Sequence, residues 1–146
     1  MGEVRGCEIP EHLYYSIDNN VWVRDEGDGT VTVGMTSYAA ALVGEVVSCT
    51  LRTVGKEVLK DKSCATVETS DWVGPVKAPV AGEIVAVNDQ LAITPEHISR
   101  DPYGKGWLVK IRVTDWESSK KELVSGMKDV LGSFEARMEY DGFSGC

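Results

Sequence analysis

The sequence predicts a mainly β domain, a small flattened barrel or sandwich of two similar halves with short helices and a C-terminal helical segment. Three observations predict it. Apolar and polar residues alternate with period two through most of the middle of the chain, between glycine-rich turns. "GEVVSCTL" from Gly44 is echoed by "GEIVAVND" from Gly82, 38 residues on, each a glycine opening a β-branched strand before a polar turn. Two copies are too few for a solenoid and suit halves related by a pseudo-twofold, the alternative being a chance likeness of two short strands. After residue 114 the apolar spacing becomes three and four.

The elements follow in order. "VWVRDEGDGTVTVGM" reads as a hairpin about a Gly-Asp-Gly turn, with Trp22, Val31 and Val33 in the core. "TSYAAALVG" changes period, with Thr36 or Ser37 as N-cap and Gly44 as stop, giving one or two helical turns. "EVVSCTL" is a strand, and "RTVGKEVLKDKS" holds a Gly55 turn and a short strand. "CATVETSDWVGPVKAPVAGEIVAVN" reads as a strand, a tight reversal and a returning strand. Thr94-Pro95-Glu96 opens a short helix with Thr94 as cap, and Asp101–Gly104 is a turn. "WLVKIRV" closes the sheet, setting Leu108, Lys110 and Arg112 against Trp107, Val109, Ile111 and Val113. In the tail Asp115 is a candidate cap. Leu123, Met127, Val130, Leu131 and Phe134 form an apolar stripe, and "DGFSGC" reads as a mobile end. A single domain over 1–146 is expected, its sandwich core spanning about 13–114 and its helical segment about 115–140.

Composition narrows the function. Charged residues make up 26% and hydrophobic residues 42%, a globular balance. The net charge of −8 argues against a nucleic-acid partner, which needs a basic face to displace counterions from phosphate. It fits docking on basic protein surfaces, and plain solubility accounts for it equally. No apolar run has the length of a signal peptide or a membrane span, so a cytoplasmic location with no membrane partner is the expectation. Cys7, Cys49, Cys64 and Cys146 lack C-x-x-C or zinc spacing and read as free thiols, Cys49 and Cys64 being buried strand residues. Cys146, on the loose end, is either inert or a carrier of sulfur as a persulfide or mixed disulfide. His12 and His97 lie far apart outside any ligand-like cluster, so no metal site is predicted. No triad, P-loop or dinucleotide fingerprint points to catalytic residues.

The stretches "DGTVTVGMTSYAAALVGEVV", "TVGKEV", "CATVE", "APVAGEIVAVNDQL" and "TPEHISRDPYGKGWLVKI" together resemble the H protein of the glycine cleavage system, a lipoyl-domain family. The resemblance runs from about Leu13 to the C-terminal helix. It implies a barrel-sandwich hybrid of two antiparallel sheets. It also implies a carrier without catalysis of its own, active in glycine catabolism. In that family lipoate is held in amide linkage on a lysine at the tip of a protruding hairpin. The arm takes an aminomethyl group from a decarboxylase, presents it to an aminomethyltransferase and is reoxidised by a dihydrolipoamide dehydrogenase.

The family hairpin resembles V-E-S-V-K-A-A-S-D-x-Y-x-P-V-x-G-E. Laid on it without gaps, Val67-Glu68 and Pro79–Glu83 both match, Glu68 falls on the family glutamate, and the family lysine falls on Asp71. A carboxylate cannot attack an activated lipoyl carbonyl to form the amide. The resemblance therefore implies a divergent, non-lipoylated member, a carrier-shaped binding or adaptor module with no cofactor. Its partners would be proteins of a glycine-cleavage-like or lipoate-dependent system, with Glu68, Asp71 and Trp72 as candidate contacts. The alternative is a true lipoyl carrier that shuttles an aminomethyl or sulfur-containing group through Lys77, where "VKA" repeats part of the family signature. Lys77 lies six positions past Asp71, about 20 Å of extended chain at about 3.3 Å per residue, so a slipped hairpin would be needed. Trp72 has two readings: an exposed partner anchor, or a ring folded back on its own hairpin. Two further departures, Tyr38 in "GMTSYAA" and "DNNVW" before Trp22, fall where relatives commonly carry histidines.

Overall fold

The computed structural model describes residues 2–146. Eleven strands form three antiparallel sheets among the described residues. Strands β3 (Tyr14–Ser16), β4 (Val21–Asp25), β5 (Thr30–Met35), β7 (Glu57–Val58), β10 (Gly82–Val87) and β11 (Val109–Val113) make a six-stranded sheet ordered β3-β4-β5-β11-β10-β7. Strands β6 (Val46–Leu51), β8 (Ser63–Thr69) and β9 (Val73–Lys77) make a three-stranded sheet with β8 in the centre. Between the sheets lies the main core, with Val23, Val33, Val67, Val76, Ile84 and Ile111 all buried. The two sheets do not close into a barrel, and the arrangement is the sandwich side of the expected hybrid.

The internal likeness of the two halves has a structural counterpart. β6 slips register against β8 between Val46 and Ser48, and β10 slips against β11 between Ile84 and Ala86, the same 38 residues apart as Gly44 and Gly82. Each bulge adds twist where its strand must curl around the core. One lies in each sheet.

Several local expectations hold. The β4–β5 turn is fixed by Asp25, which accepts from the Gly27 amide, and by Asp28, which accepts from the Thr30 amide and hydroxyl. Helix α1 (Ser37–Val43) starts at Thr36, whose Oγ1 accepts from the Ala39 amide, and stops at Gly44. Asp115 caps α3 (Trp116–Lys120) by accepting from the Ser118 amide.

Others are corrected. Helix α2 (His97–Arg100) has Glu96 at its cap with no side-chain bond, so Thr94 contributes its carbonyl to His97 and not its hydroxyl. Leu108 is buried like Val109, because it pairs with Val33 before the regular strand begins. The apolar stripe of the tail is broken. Val124 leaves the helical path to exchange backbone hydrogen bonds with Tyr15, and Gly126 turns the chain at φ 86°. Helix α4 (Met127–Asp141) then buries Val130, Phe134 and Met138, leaving Met127 exposed.

Before the expected sandwich, residues 2–9 form a hairpin of β1 (Gly2–Val4) and β2 (Cys7–Ile9). It packs with α4 on the outer face of the large sheet, making a second core from Ile9, Tyr15, Trp22, Tyr38, Phe134 and Met138. Phe134 meets the Tyr15 and Tyr38 rings edge-on. Tyr38 donates its hydroxyl to Asp141 and so locks α1 to the end of α4.

The expected mobile end is tied down. Cys7 and Cys146 form a disulfide with Cα atoms 5.1 Å apart, so two of the four expected free thiols are paired. Sequence spacing gives no sign of this, because 139 residues separate the partners and only the docking of α4 on β1 brings them together. The Cys146 amide also donates to the Arg5 carbonyl, and the Arg5 guanidinium reaches Glu135, Glu139 and the Phe143 carbonyl.

This bonding sets an acid limit. Hydrogen bonds from Thr32 to Glu26, Thr30 to Asp28, Arg5 to Glu135 and Tyr38 to Asp141 hold those carboxyls below their ordinary range. Groups depressed in the folded state stabilise it above their unfolded pKa and cease to do so as pH falls through the folded value. Urea midpoints are therefore expected to be level from neutral pH downwards and to drop below about pH 4.

Candidate functional site

The site is the tip of the β8–β9 hairpin. Its register pairs Glu68 with Val73, Val67 with Gly74, Thr66 with Pro75, Ala65 with Val76 and Ser63 with Lys77. Four residues, Thr69 to Trp72, make the reversal. The Thr69 amide donates to the Trp72 carbonyl at 2.7 Å, and the Asp71 amide donates to Thr69 Oγ1 at 3.3 Å. Thr69 is buried and holds the turn from below, whereas Ser70 and Asp71 stand exposed above it. Pro75 is tolerated because β9 is an edge strand and owes no amide to a further neighbour.

Asp71 lies in this reversal beside Ser70. Among the described residues its carboxylate has no hydrogen-bond or ion-pair partner. Glu68 projects from the outer face of β8 between Ser48 and Val73. Lys77 is exposed at the far end of the hairpin, opposite Ser63, with the whole length of β9 between it and the turn. In this register the residues that would hold a lipoyl arm at the apex do not fit that group, because the turn offers a hydroxyl and a carboxylate but no amine.

Trp72 folds back and also stays accessible. A Cβ added to Gly74 would lie 2.3 Å from Trp72 Cζ2, so the indole lies directly over that glycine. Its other side walls an apolar hollow of about 160 Å³ with Leu42, Val43, Met35 and Val76. Trp72 as a residue keeps 38% of its surface exposed. Exposed Leu42, Val47 and Val73 complete an apolar fringe near the tip. Sequence reasoning missed this fringe. Gly74 was its one legible sign, a strand glycine that marks the close approach of another group. Replacing Gly74 by valine is expected to push the indole off the hairpin. In a background where Trp72 is the sole tryptophan, its emission should shift to the red, with little loss of stability because the site is at the surface.

Helix α1 divides this hollow from a larger cleft. Ala39, Leu42 and Val43 face the hollow, while Ala40, Ala41 and Gly44 line a cleft of about 530 Å³ on the helix's opposite side, with Cys146 at its edge. The remaining cysteines are unsuited to nucleophilic work. Burial pushes the Cys49 thiol up to about 11 and the Cys64 thiol up to about 12, so neither is thiolate near neutrality. His12 is exposed and His97 half-buried. No group of three or more His, Cys, Asp or Glu among the described residues could hold a metal ion, and no helix among them is long and apolar enough to cross a membrane.

Comparison with known proteins agrees with this architecture. The family model described as "Glycine cleavage H-protein" matches residues 13–131. Glycine cleavage system H protein 5 of Aquifex aeolicus is 47% identical over 132 residues, covering 88% of each chain. Probable glycine cleavage system H protein 2 of Sulfurisphaera tokodaii is 44% identical over 128 residues, covering 86% of each. The crystal structure of a glycine cleavage system H protein from Mycobacterium marinum superposes with a TM-score of 0.73 at 31% identity, covering 92% of this chain and 99% of that one. The matched region holds both sheets and the hairpin tip, and it leaves Cys7 and Cys146 outside on either side. On this sequence and structural agreement, the chain belongs to the glycine cleavage H-protein family.

Proposed function

We infer that this protein is an H-type module without a lipoyl arm, an adaptor that docks through the β8–β9 tip on proteins of a glycine-cleavage-like or lipoate-dependent system. One observation carries the reading: the apex of the reversal holds Asp71, and the nearest lysine of the hairpin, Lys77, sits opposite Ser63 at its other end. Acylation needs a nucleophilic nitrogen, and a carboxylate supplies none. The scaffold that presents the tip is otherwise complete, including the buried Thr69 that fixes the turn and Glu68 three residues before the apex. Such a module performs no reaction of its own, since in a carrier system the chemistry belongs to the prosthetic group and the partner enzymes.

What remains at the tip suits recognition. Glu68 and Asp71 place two carboxylates beside a partly exposed indole and the side chains of Val73 and Val47. An aromatic anchor within a charged rim is a common pattern for a binding hot spot. Protein isolated from a lipoylation-competent host is expected to show the unmodified chain mass, and peptides spanning Cys64–Lys77 should carry no acyl group. A lipoyl group on Lys77 would establish the carrier reading instead. In titrations against the host decarboxylase and aminomethyltransferase, Trp72→Ala is expected to weaken the productive pair by about 10- to 30-fold. Unchanged affinity for both would remove the tip from the docking surface.

A further inference from the structure

The Cys7–Cys146 disulfide is asymmetric. Cys7, on β2, has no exposed surface. Cys146 is exposed, and both half-cystines line the 530 Å³ cleft beside α1, together with Ser37 and Tyr103. Displacement at a disulfide requires the attacking sulfur to approach in line with the bond that breaks, so access decides which sulfur is attacked. Cys7 has no surface open to solvent, so the approach lies on the Cys146 side of the bond. Few contacts hold the last three residues apart from the disulfide, the main one being the Cys146 amide bonded to the Arg5 carbonyl at 2.9 Å. The tail can therefore swing away once the bond opens, while α4 stays docked through Val130, Phe134 and Met138.

We propose that the Cys7–Cys146 disulfide is a thiol–disulfide exchange site for an external dithiol, entered through the Cys146 sulfur at the edge of the cleft beside α1. A thiolate of the dithiol bonds to Cys146 Sγ as the bond between the two protein sulfurs breaks. The electron pair leaves on Cys7 Sγ, which takes up a proton. The second thiol of the reagent, after losing its proton, attacks its own sulfur in the mixed disulfide and expels Cys146 as thiolate, which is protonated in turn. The dithiol leaves as a cyclic disulfide, and two electrons and two protons have passed to the protein. A monothiol stalls at the first step, because the mixed disulfide at Cys146 stays tethered to the chain that carries Cys7, whose thiolate re-forms the original bond faster than a second monothiol arrives. This site is independent of the hairpin tip, and its test is separate from that of the lipoyl-free reading.

The test uses the full chain in native buffer with dithiothreitol. Samples are quenched in acid, then denatured, alkylated and mapped by peptide mass. Cys7 and Cys146 are expected to become alkylated together while circular dichroism stays native. The rate should rise about tenfold per pH unit below the thiol pKa of the reagent. Cys7→Ser should give a mixed disulfide at Cys146 with an aromatic disulfide probe at least about tenfold faster than Cys146→Ser does at Cys7. The proposal is overturned if the disulfide opens only in denaturant. It fails equally if the two variants react alike. The wild-type measurement stands even where a variant does not fold.

Discussion

Asp71→Lys is expected to convert the protein into a lipoate acceptor. Lipoate ligase should then add one lipoyl group per chain, against none for the unaltered protein, and peptide mapping should place it on residue 71. The backbone is already arranged for this outcome. The Asp71 contribution to the turn is its amide, which donates to Thr69 Oγ1 and is kept by any residue other than proline. Its side chain is exposed and unbonded, so its replacement should change stability by no more than about 0.5 kcal/mol. The new amine would project into solvent three residues beyond Glu68, at the apex of a reversal flanked by paired strands. Lys77→Arg should leave labelling of the Asp71→Lys protein unchanged. A folded Asp71→Lys variant that resists acylation would show that the apex differs from an H-protein apex in more than one side chain, with Trp72 the first candidate obstruction.

The second large effect is on stability. Loss of the disulfide through Cys146→Ser is expected to cost several kcal/mol. In the chain-entropy account, a cross-link closing a loop of well over a hundred residues restricts the unfolded ensemble by up to about 5 kcal/mol. The cross-link here spans 139 residues, almost the entire chain. For a domain of this size each kcal/mol moves Tm by about 2–4 °C, so the expected fall is on the order of 10 °C. The Arg5 ion pairs with Glu135 and Glu139 join the same two ends but are solvent-screened and do not compensate. Thermal melts with and without dithiol would check this: the dithiol should lower the Tm of the unaltered protein to that of Cys146→Ser and leave the variant unmoved. Equal Tm values for oxidised protein and variant would mean that the unfolded ends stay together without the bond.

The two predictions divide along the line between what was legible in the sequence and what was not. The sandwich was legible because half-buried strands alternate with period two, and because Thr36 and Asp115 declare their caps by residue type. The residue at the hairpin reversal was legible because hairpin pairing is local: once Val67-Glu68 and Pro79–Glu83 are placed, Asp71 falls in the turn by counting. The dual placement of Trp72 was only half legible. Composition allowed an anchor or a folded ring, and the missing Cβ of Gly74 permits a ring that lies on the strand and still reaches solvent.

By itself the sequence determined the local elements, the turn chemistry and the identity of the residue at the hairpin apex, since each depends on neighbours a few positions away. Tertiary structure alone decided the second core, the break at Val124 and the union of Cys7 with Cys146. Those depend on α4 crossing the outer face of the large sheet to meet β1. Such long-range docking is set by the complementarity of two complete surfaces, and no periodicity within either segment encodes it.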